Sequence, residues 1–569
     1  MSKTQCYDSF KALLASALLN GLFLFAILQF YTPFFESNDD FILMHLVDGA
    51  YGFNEFRLVY INFLAGWLLK TLYTWFPALA WYTILQYFCL YISFTLICFV
   101  IIRRWKMFPA IVSSLCLLTF FGLDAYICIH YTKTASVLTV TGLLLIFIIM
   151  EGRARGASPV WSDFLLFTLG FILALFGLMY RNMQFFACGA IICFIIIDIV
   201  LIAVEKKNAD EKILPLIFRQ FYPFILLLSI AIMFCITDKF AYQSEEWSAY
   251  IKYNSARTEV MDFGMLPTYG KEEETYKSLD ISEEMFDLIQ RWDFYDPDIV
   301  DEKKFSQLSE LSHATKAQEN PSLFLRTLDY FFNLLHLWAA LPLAVFCFAW
   351  LLFGRHDKIA YFAVLFSFIC FSILAIYLVS RGRYNIYWVE YGLLFSVCVL
   401  IAWFLPRNDE KHILKSPIAI LLLSCLLLYL YLPGWNNKFC KAELSKQDGF
   451  DTLISQLEQQ EKLIIADTYF SELYINLSPF SSEPSLASEN ILYLGGWQTT
   501  YPRINKIFLK NGVCNPYRDC VDNDDVLLLT SHIDLTLSHI QNEYSPDAYA
   551  ECILHPDEGF GYGLYKILS

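Results

Sequence analysis

Residues 12–40, ALLASALLNGLFLFAILQFYTPFFESNDD, join a long apolar run to an acidic pair. An α-helix needs about 20 apolar residues to cross the hydrocarbon core of a bilayer. Lys3 and Lys11 precede the run, and basic flanks favour the cytoplasmic side. Because no small-x-small cleavage pattern follows, we expect an uncleaved first span. Asp39 and Asp40 then lie at its outer end.

The rest of the chain repeats this pattern. Of its 569 residues, 57% are hydrophobic and only 17% are charged, which is low for a soluble protein. The sequence therefore predicts a polytopic α-helical membrane protein of about 11 spans. Basic residues recur at alternate turns, so we expect the N-terminus in the cytoplasm and the C-terminus outside, in a multi-pass protein of the cell membrane. The predicted spans are about 12–32, 81–102, 108–123, 134–151, 162–179, 184–204, 218–236, 327–353, 360–379, 386–405 and 416–433.

The loop after the first span contains two further apolar stretches, Phe41–Val47 and Glu55–Trp75. Arg57 and Lys70 interrupt the second stretch, and a lysine inside a span is costly. An amphipathic helix in the membrane interface costs less. We therefore predict two interfacial helices in this loop.

Four regions follow from this division. Residues 1–237 form an N-terminal transmembrane module, 238–325 an extracytoplasmic acidic insert, and 326–433 a second transmembrane module. Residues 434–569 form a small extracytoplasmic α/β domain. Within it, 462–467, 490–495 and 526–530 are predicted to be short buried strands, 450–461 a helix and 551–567 a final hairpin.

Net charge is -15, and no basic face remains to neutralise phosphates of a nucleic acid, so we expect no such partner. Most of the 16 cysteines lie in apolar runs. An external C-terminal domain would permit one or two disulfides, although the sequence leaves their pairing open. The four cysteines concerned are Cys440, Cys514, Cys520 and Cys552. No cofactor is evident, and no cysteine or histidine spacing matches a zinc site.

Two interpretations of the acidic pair remain open. Ser37 can be the N-cap of a helix and Asp40 the third-position carboxylate of a capping box. Alternatively, Asp39 or Asp40 can serve as a catalytic base that accepts a proton from an attacking hydroxyl. The two roles are compatible, because one carboxylate can cap the helix while the other faces a cleft.

Four cations are expected at the outer interface, where the positive-inside rule gives no reason for them. They are Lys133, Arg181, Arg381 and Arg383. Each alone fits snorkelling toward lipid head groups. Together they suggest a pocket for an anion such as a lipid-linked phosphate, to which the arginine fork is well matched.

An acidic first loop with two interfacial helices and about eleven spans resembles the GT-C superfamily of membrane glycosyltransferases. The resemblance is closest to the protein O-mannosyltransferase and aminoarabinose-transferase branch, and it covers roughly residues 1–433. In that branch the catalytic aspartate comes from the first loop, where this chain has Asp39 and Asp40. A soluble insert after span 7 is also typical. The lysine-proline-proline stretch of the aminoarabinose enzymes is replaced here by Phe53-Asn54-Glu55-Phe56-Arg57.

The resemblance implies transfer of a sugar from a polyprenyl-phosphate donor to an extracytoplasmic glycan, lipid or protein. Asp39 or Asp40 would be the base, and the four outer cations would hold the donor phosphate. Some GT-C enzymes use a divalent metal, and the acidic pair could contribute to such a site. The alternatives are a transporter, flippase or scaffold for envelope glycolipids, and a polysaccharide polymerase or ligase.

Overall fold

The computed structural model describes most of the chain. The described residues are 3–104, 107–158, 160–206, 212–319, 322–336, 340–383, 386–405, 450, 453–454, 456–457, 459–476, 478–480, 490–556 and 561–569. The predicted span 416–433 and Cys440 lie outside them. Cys514, Cys520 and Cys552 are free thiols.

The membrane part is a bundle of apolar helices, and the chain is a polytopic helical protein. Among the described residues, six helices are long and apolar enough to cross a membrane. A seventh crossing is added if α9 and α10, which meet at a 43° bend, form one span. Helices lie at each of the first ten predicted span positions, but those at positions 3, 8 and 10 are shorter. The helices are α1 Lys3–Phe30, α2 Asn38–Asp48, α3 Phe63–Trp75, α4 Trp81–Arg104, α5 Met107–Leu117, α6 Leu123–Ile127, α7 Tyr131–Ala154, α8 Trp161–Tyr180, α9 Asn182–Ile192, α10 Ile195–Glu205, α11 Ile213–Ala241, α16 Leu323–His336, α17 Ala340–Phe353, α18 Lys358–Arg381 and α19 Tyr387–Trp403.

The bundle has two rims with different chemistry. At the far rim, Asp198 accepts hydrogen bonds from Arg355 at 2.9 Å and from the Trp403 indole at 3.0 Å. Arg104, at the end of α4, lies over Trp403 and 3.8 Å from Glu151. The other rim carries the ends of α1, α8 and α18 and the starts of α4 and α7. We call it the soluble-facing rim, because the polar regions pack on it.

The first loop contains the two predicted helices, but they differ in environment. In α3, Trp67 and Trp75 are largely exposed, as expected of a helix that lies against lipid. In α2, residues 40–47 are all buried. The prediction of an interfacial α2 is therefore wrong, because the C-terminal region covers this helix: Tyr474 stacks on Phe41 with ring centroids 4.3 Å apart.

The described residues of the insert contain four α-helices, and those of the C-terminal region form an α/β unit. The insert helices are α12 Glu245–Met261, α13 Glu273–Ser278, α14 Glu283–Gln290 and α15 Glu302–Glu319. The C-terminal elements are β3 Leu463–Ala466, β4 Ile491–Tyr493, α20 Pro502–Lys510, α21 Pro516–Asp519, β5 Val526–Thr530, α22 Ile533–Glu543, β6 Tyr549–Leu554 and β7 Gly563–Leu568. All three predicted strands and the final hairpin are confirmed. Of the predicted helix 450–461, residues 450, 453–454 and 456–457 are helical and others lie outside the described residues.

The sheet has the order β4-β3-β5-β7-β6, in which β4, β3 and β5 are parallel. Strands β3 and β5 are buried along their whole length, which explains why each is a continuous apolar run. The chain leaves β3 toward β4 on one side, and β5 lies on the other side. The carboxyl ends of β3 and β5 therefore flank the point where the strand order reverses, where α/β sheets usually bind ligands.

The insert and the C-terminal unit pack against each other. Asp296 of the insert accepts a hydrogen bond from Asn515 at 2.8 Å and contacts His539 at 2.9 Å. Tyr544 donates to the same carboxylate. These contacts lower the pKa of Asp296 although burial acts in the opposite direction. The two polar regions thus present one joined surface to the bundle.

Helices α7 and α8 approach closely because small residues face each other. A Cβ atom on Gly142 would lie 2.5 Å from the carbonyl oxygen of Gly170 and 2.5 Å from the backbone nitrogen of Ala174. Neither backbone atom can move without shifting its helix. Small residues of this kind allow membrane helices to pack through their backbones.

We predict that Gly142→Ala destabilises the chain by about 1–3 kcal/mol, because the added methyl group overpacks the helix contact. Gly189→Ala is the matched control, since its Cβ would meet only the Leu143 side chain at 3.8 Å. Thermal unfolding in detergent, followed by size-exclusion chromatography, measures both. Equal stability of the two variants would contradict the proposed close packing.

Candidate functional site

The acidic pair lies where a short parallel pairing fixes the first loop. Strand β1, Phe34–Phe35, pairs with β2, Cys128–Ile129, directly before α7. Helix α2 then begins at Asn38 with Ser37 as its N-cap residue, as the sequence predicts. Within the described part of the chain, however, the Ser37 side chain forms no capping hydrogen bond. The predicted capping box is therefore not formed, and Asp40 turns toward other partners.

Asp40 is fully buried between α4 and α7. Its Oδ1 accepts hydrogen bonds from the Tyr82 hydroxyl at 2.8 Å and from the backbone N–H of Tyr131 at 3.2 Å. Burial raises the pKa of Asp40 well above its ordinary value and lowers that of His130, whose Nε2 lies 3.8 Å from Asp40 Oδ2. Both shifts favour uncharged side chains. Asp40 therefore holds the start of α2 against the bundle.

Asp39 has a different environment, because it is only half-buried. Its Oδ1 accepts a 2.7 Å hydrogen bond from the indole N–H of Trp497, which follows β4. Burial raises the pKa of Asp39 above its usual value. The Trp497 hydrogen bond opposes this shift, as do the charges of Arg181 and Arg257, while the charge of Asp262 adds to it. Asp39 is thus a carboxylate in a cationic and aromatic cleft.

Arg181 is the cation at the end of α8. Its guanidinium carbon lies 5.2 Å from the ring centre of Tyr60 and 5.7 Å from that of Tyr131. Tyr60 in turn packs edge-on against Trp497, with ring centroids 5.2 Å apart. Among the described residues, the Arg181 side chain has no ion-pair or hydrogen-bond partner. Its donors are therefore available for an added anion.

Further cations line the insert side of the cleft. Arg257 is 1% exposed and lies over the Trp292 ring, and its Nη1 donates no hydrogen bond within the described residues. Its Nη2 lies 3.5 Å from Asp262, and Arg383 lies 3.6 Å from the other oxygen of that carboxylate. Two arginines thus share one acidic partner, and the positive charge of Arg257 acts on Asp39.

The other two predicted phosphate-binding cations have carboxylate partners. Lys133 is buried and lies 2.5 Å from Glu36 and 2.6 Å from Asp124. Arg381 lies 2.7 Å from Glu259. Of the four predicted cations, Arg181 lies near enough for its charge to act on Asp39, and Arg383 contacts Asp262, whose charge also acts on Asp39. Lys133 and Arg381 lie in separate ion pairs.

A second group of ionisable side chains lies in the C-terminal unit. Asp467 follows β3, His532 follows β5, and Asp293 comes from the insert. The imidazole lies 3.1 Å from Asp293 and 3.2 Å from Asp467. Burial and the charge of Asp467 raise the pKa of Asp293 to about 6. Burial alone would lower the pKa of His532, but its two carboxylate contacts outweigh burial and raise it to about 9.

This group is the one set of at least three potential metal ligands found among the described residues, and it includes neither Asp39 nor Asp40. Sequence reasoning missed it, although Asp467 and His532 each follow a predicted buried strand. Because ligands often bind at the carboxyl ends of parallel strands, the positions of Asp467 and His532 could have indicated a site. Nothing local indicates Asp293, Arg257 or Trp497, because their roles arise from contacts between distant segments.

No protein-family model, curated protein or solved structure is significantly similar to this chain. The cleft around Asp39 must therefore be interpreted from its own geometry.

We predict that Asp40→Ala lowers the free energy of unfolding by about 2 kcal/mol, because a buried hydroxyl and a buried N–H lose their acceptor. Asp40→Asn keeps a carbonyl oxygen in place and should cost much less. Chemical unfolding in detergent, followed by tryptophan fluorescence, compares the two variants. If both lose the same stability, the hydrogen bonds to Asp40 do not hold the loop.

Proposed function

We propose that this chain is an integral membrane glycosyltransferase of GT-C type. It moves a sugar from a polyprenyl-phosphate-linked donor to an extracytoplasmic cell-envelope acceptor. The observation that carries the proposal is that a half-buried carboxylate, Asp39, lies near an arginine, Arg181, whose charge acts on it but which forms no ion pair among the described residues. Both lie on the soluble-facing rim, with Arg181 at the end of α8 and Asp39 at the start of α2.

The contacts of the cleft suit an inverting displacement. A hydroxyl oxygen of the acceptor attacks the anomeric carbon, and the bond from that carbon to the phosphate oxygen breaks. The electron pair leaves with the phosphate, whose charge Arg181 and Arg383 stabilise. The hydroxyl proton passes to Asp39, the general base. The donor lipid leaves as polyprenyl phosphate, so atoms and charge balance without a further reactant.

Asp39 suits the role of base better than Asp40. Asp40 is enclosed, and its hydrogen bonds already hold Tyr82 and the start of α7. Asp39 has one oxygen oriented by Trp497 and is partly accessible. A hydrogen bond that fixes one oxygen leaves the other to accept a proton, so the fixed indole orients the base.

We also propose an orientation of the chain in the membrane. The soluble-facing rim and both polar regions are extracytoplasmic in the cell membrane, and the N-terminus and the far rim are cytoplasmic. The clustering of Arg103, Arg104, Arg153 and Arg155 at or after the ends of α4 and α7 supports this orientation. The count of about eleven spans belongs to the same proposal.

One observation favours the alternative of a transporter or flippase. Helices α9 and α10 are separated by a 43° bend, and broken helices often line the substrate sites of transporters. A transporter would move a lipid-linked sugar across the membrane without cleaving it. Product analysis therefore separates the two functions, since only the enzyme releases polyprenyl phosphate.

Two single substitutions should separate catalysis from donor binding. Asp39→Asn should abolish sugar transfer from a panel of polyprenyl-phosphate sugars while it leaves binding of polyprenyl phosphate nearly unchanged. Arg181→Gln should weaken that binding by roughly tenfold to a hundredfold, the value of one or two charge-assisted hydrogen bonds. Native mass spectrometry of the chain in nanodiscs measures binding, and chromatography of the labelled product measures transfer.

Arg153→Gln is the matched control, because Arg153 lies at the opposite end of α7 against Phe167. It should change neither readout. Transfer at the wild-type rate by Asp39→Asn, with normal expression, would rule out Asp39 as the base.

The rate of transfer should fall on acidification through a pKa above the ordinary value of an aspartate, because the base must be deprotonated and burial raises its pKa. Trp497→Phe removes a hydrogen bond that lowers this pKa, so the acidic limb should move to higher pH. Initial rates across pH measure the shift, and Trp161→Phe on the exposed surface of the bundle is the control. A limb that stays in place or moves to lower pH would contradict the assignment.

A further inference from the structure

Asp293, Asp467 and His532 form a cluster at the carboxyl edge of the sheet, on the soluble side of the molecule. Asp467 is the first residue after β3 and His532 the second residue after β5, and these are the two adjacent parallel strands at which the strand order reverses. Asp293 reaches this edge from the turn after α14. One potential ligand atom from each residue lies within 4.8 Å of those of the other two. We call these three residues the sheet-edge cluster.

The sheet-edge cluster differs from the neighbouring contact between Asp296 and His539. Both oxygens of Asp296 accept hydrogen bonds, from Asn515 and Tyr544 on one oxygen and from Tyr544 and His539 on the other. That carboxylate is satisfied and joins the insert to the C-terminal unit. In the sheet-edge cluster, by contrast, each carboxylate has one oxygen that accepts no hydrogen bond from the described residues.

Each carboxylate of the sheet-edge cluster has one oxygen fixed and one oxygen left over. Asp293 Oδ1 accepts from the backbone N–H of Thr468 at 2.7 Å, and Asp467 Oδ2 accepts from the N–H and hydroxyl of Ser531 at 2.7 and 2.9 Å. The remaining oxygens, Asp293 Oδ2 and Asp467 Oδ1, are buried and accept no hydrogen bond from the described residues. Buried carboxylate oxygens that accept no hydrogen bond are candidate ligands for a cation, which would bind in exchange for the imidazole proton.

The imidazole of His532 likewise has one nitrogen held by neighbouring groups and one nitrogen without a hydrogen bond. Nδ1 of His532 lies 3.1 Å from the Ser531 hydroxyl and 3.2 Å from Asp467 Oδ2. Nε2 is buried and lies 3.1 Å from Asp293 Oδ2, outside hydrogen-bond geometry. Because Nδ1 contacts Ser531 and Asp467, Nε2 is the nitrogen left to bind a cation. The 3.1 Å separation is close to the roughly 3.3 Å between ligand atoms around a zinc ion about 2.0 Å from each.

We propose that the sheet-edge cluster is a binding site for a divalent transition-metal cation of the Zn²⁺ or Mn²⁺ class. Asp293 Oδ2, Asp467 Oδ1 and His532 Nε2 are its ligands. A set of one imidazole and two carboxylates suits these ions better than Ca²⁺ or Mg²⁺, which prefer oxygen ligands alone. The cation joins the insert to the sheet. Three protein ligands leave at least one coordination position for water or an anionic oxygen.

This site is separate from the cleft around Asp39, and the inference does not depend on glycosyl transfer. The test uses the full chain in nanodiscs after treatment with a chelator. Co²⁺ is added and its visible d–d absorption is followed, and Zn²⁺ is then added as a competitor. We expect one Co²⁺ per chain, displaced by Zn²⁺, and affinity at least about tenfold weaker in His532→Gln and Asp467→Asn.

Asp296→Asn and His539→Gln are the matched controls, because they alter the other carboxylate–imidazole contact across the same junction. They should bind Co²⁺ as the wild type does. Thermal unfolding of the wild-type chain gives a second readout, which does not depend on whether the cluster variants fold. Zn²⁺ should raise the unfolding temperature of the wild type and of Asp296→Asn. A wild-type chain that shows neither stoichiometric Co²⁺ absorption nor stabilisation by Zn²⁺ would overturn the proposal, as would equal binding by His532→Gln.

Discussion

The hydrogen bond from Trp497 to Asp39 is the contact on which the candidate site depends. A carboxylate between a membrane bundle and a folded soluble unit loses water, and it stays charged only if donors and cations replace that water. Its neighbours come from three separate parts of the chain: Trp497 from the C-terminal unit, Arg181 from the end of α8 and Arg257 from the insert. The surroundings of Asp39 are therefore complete only when all three parts are assembled.

The charges on the soluble-facing rim fall into two kinds. Lys133 has two carboxylates within 2.6 Å in a buried site, so its charge serves the packing of the bundle. Arg181 instead rests on two tyrosine rings, and such stacking holds a guanidinium while leaving its in-plane donors available. Arg257 and Arg383 share Asp262, which balances only one of them. Arg181 and Arg257 thus bring positive charge to Asp39, where the proposed donor phosphate would need it.

Much of the architecture could be predicted from local patterns. Apolar runs gave the helix positions, and short apolar stretches gave β3, β4 and β5, because burial on both faces leaves a continuous apolar signature. The environment of α2 could not be predicted, since the same apolar stretch fits lipid or a covering domain.

The sequence also does not indicate that Asp39 and Asp40 have different environments. The pairing of β1 with β2 places Asp40 against Tyr131, and that pairing joins residues almost a hundred positions apart. Of the second group of ionisable residues, only Asp467 and His532 carried a local signal, since each follows a predicted strand.

A structure of the chain in nanodiscs with an added polyprenyl phosphate would show whether Asp39 and Arg181 form a donor site. We expect phosphate density within hydrogen-bond distance of the Arg181 guanidinium, on the soluble-facing rim, with the Asp39 carboxylate facing the same cleft. Phosphate density elsewhere, or a cavity that opens at mid-membrane near the bend between α9 and α10 while the cleft beside Asp39 stays closed, would contradict it.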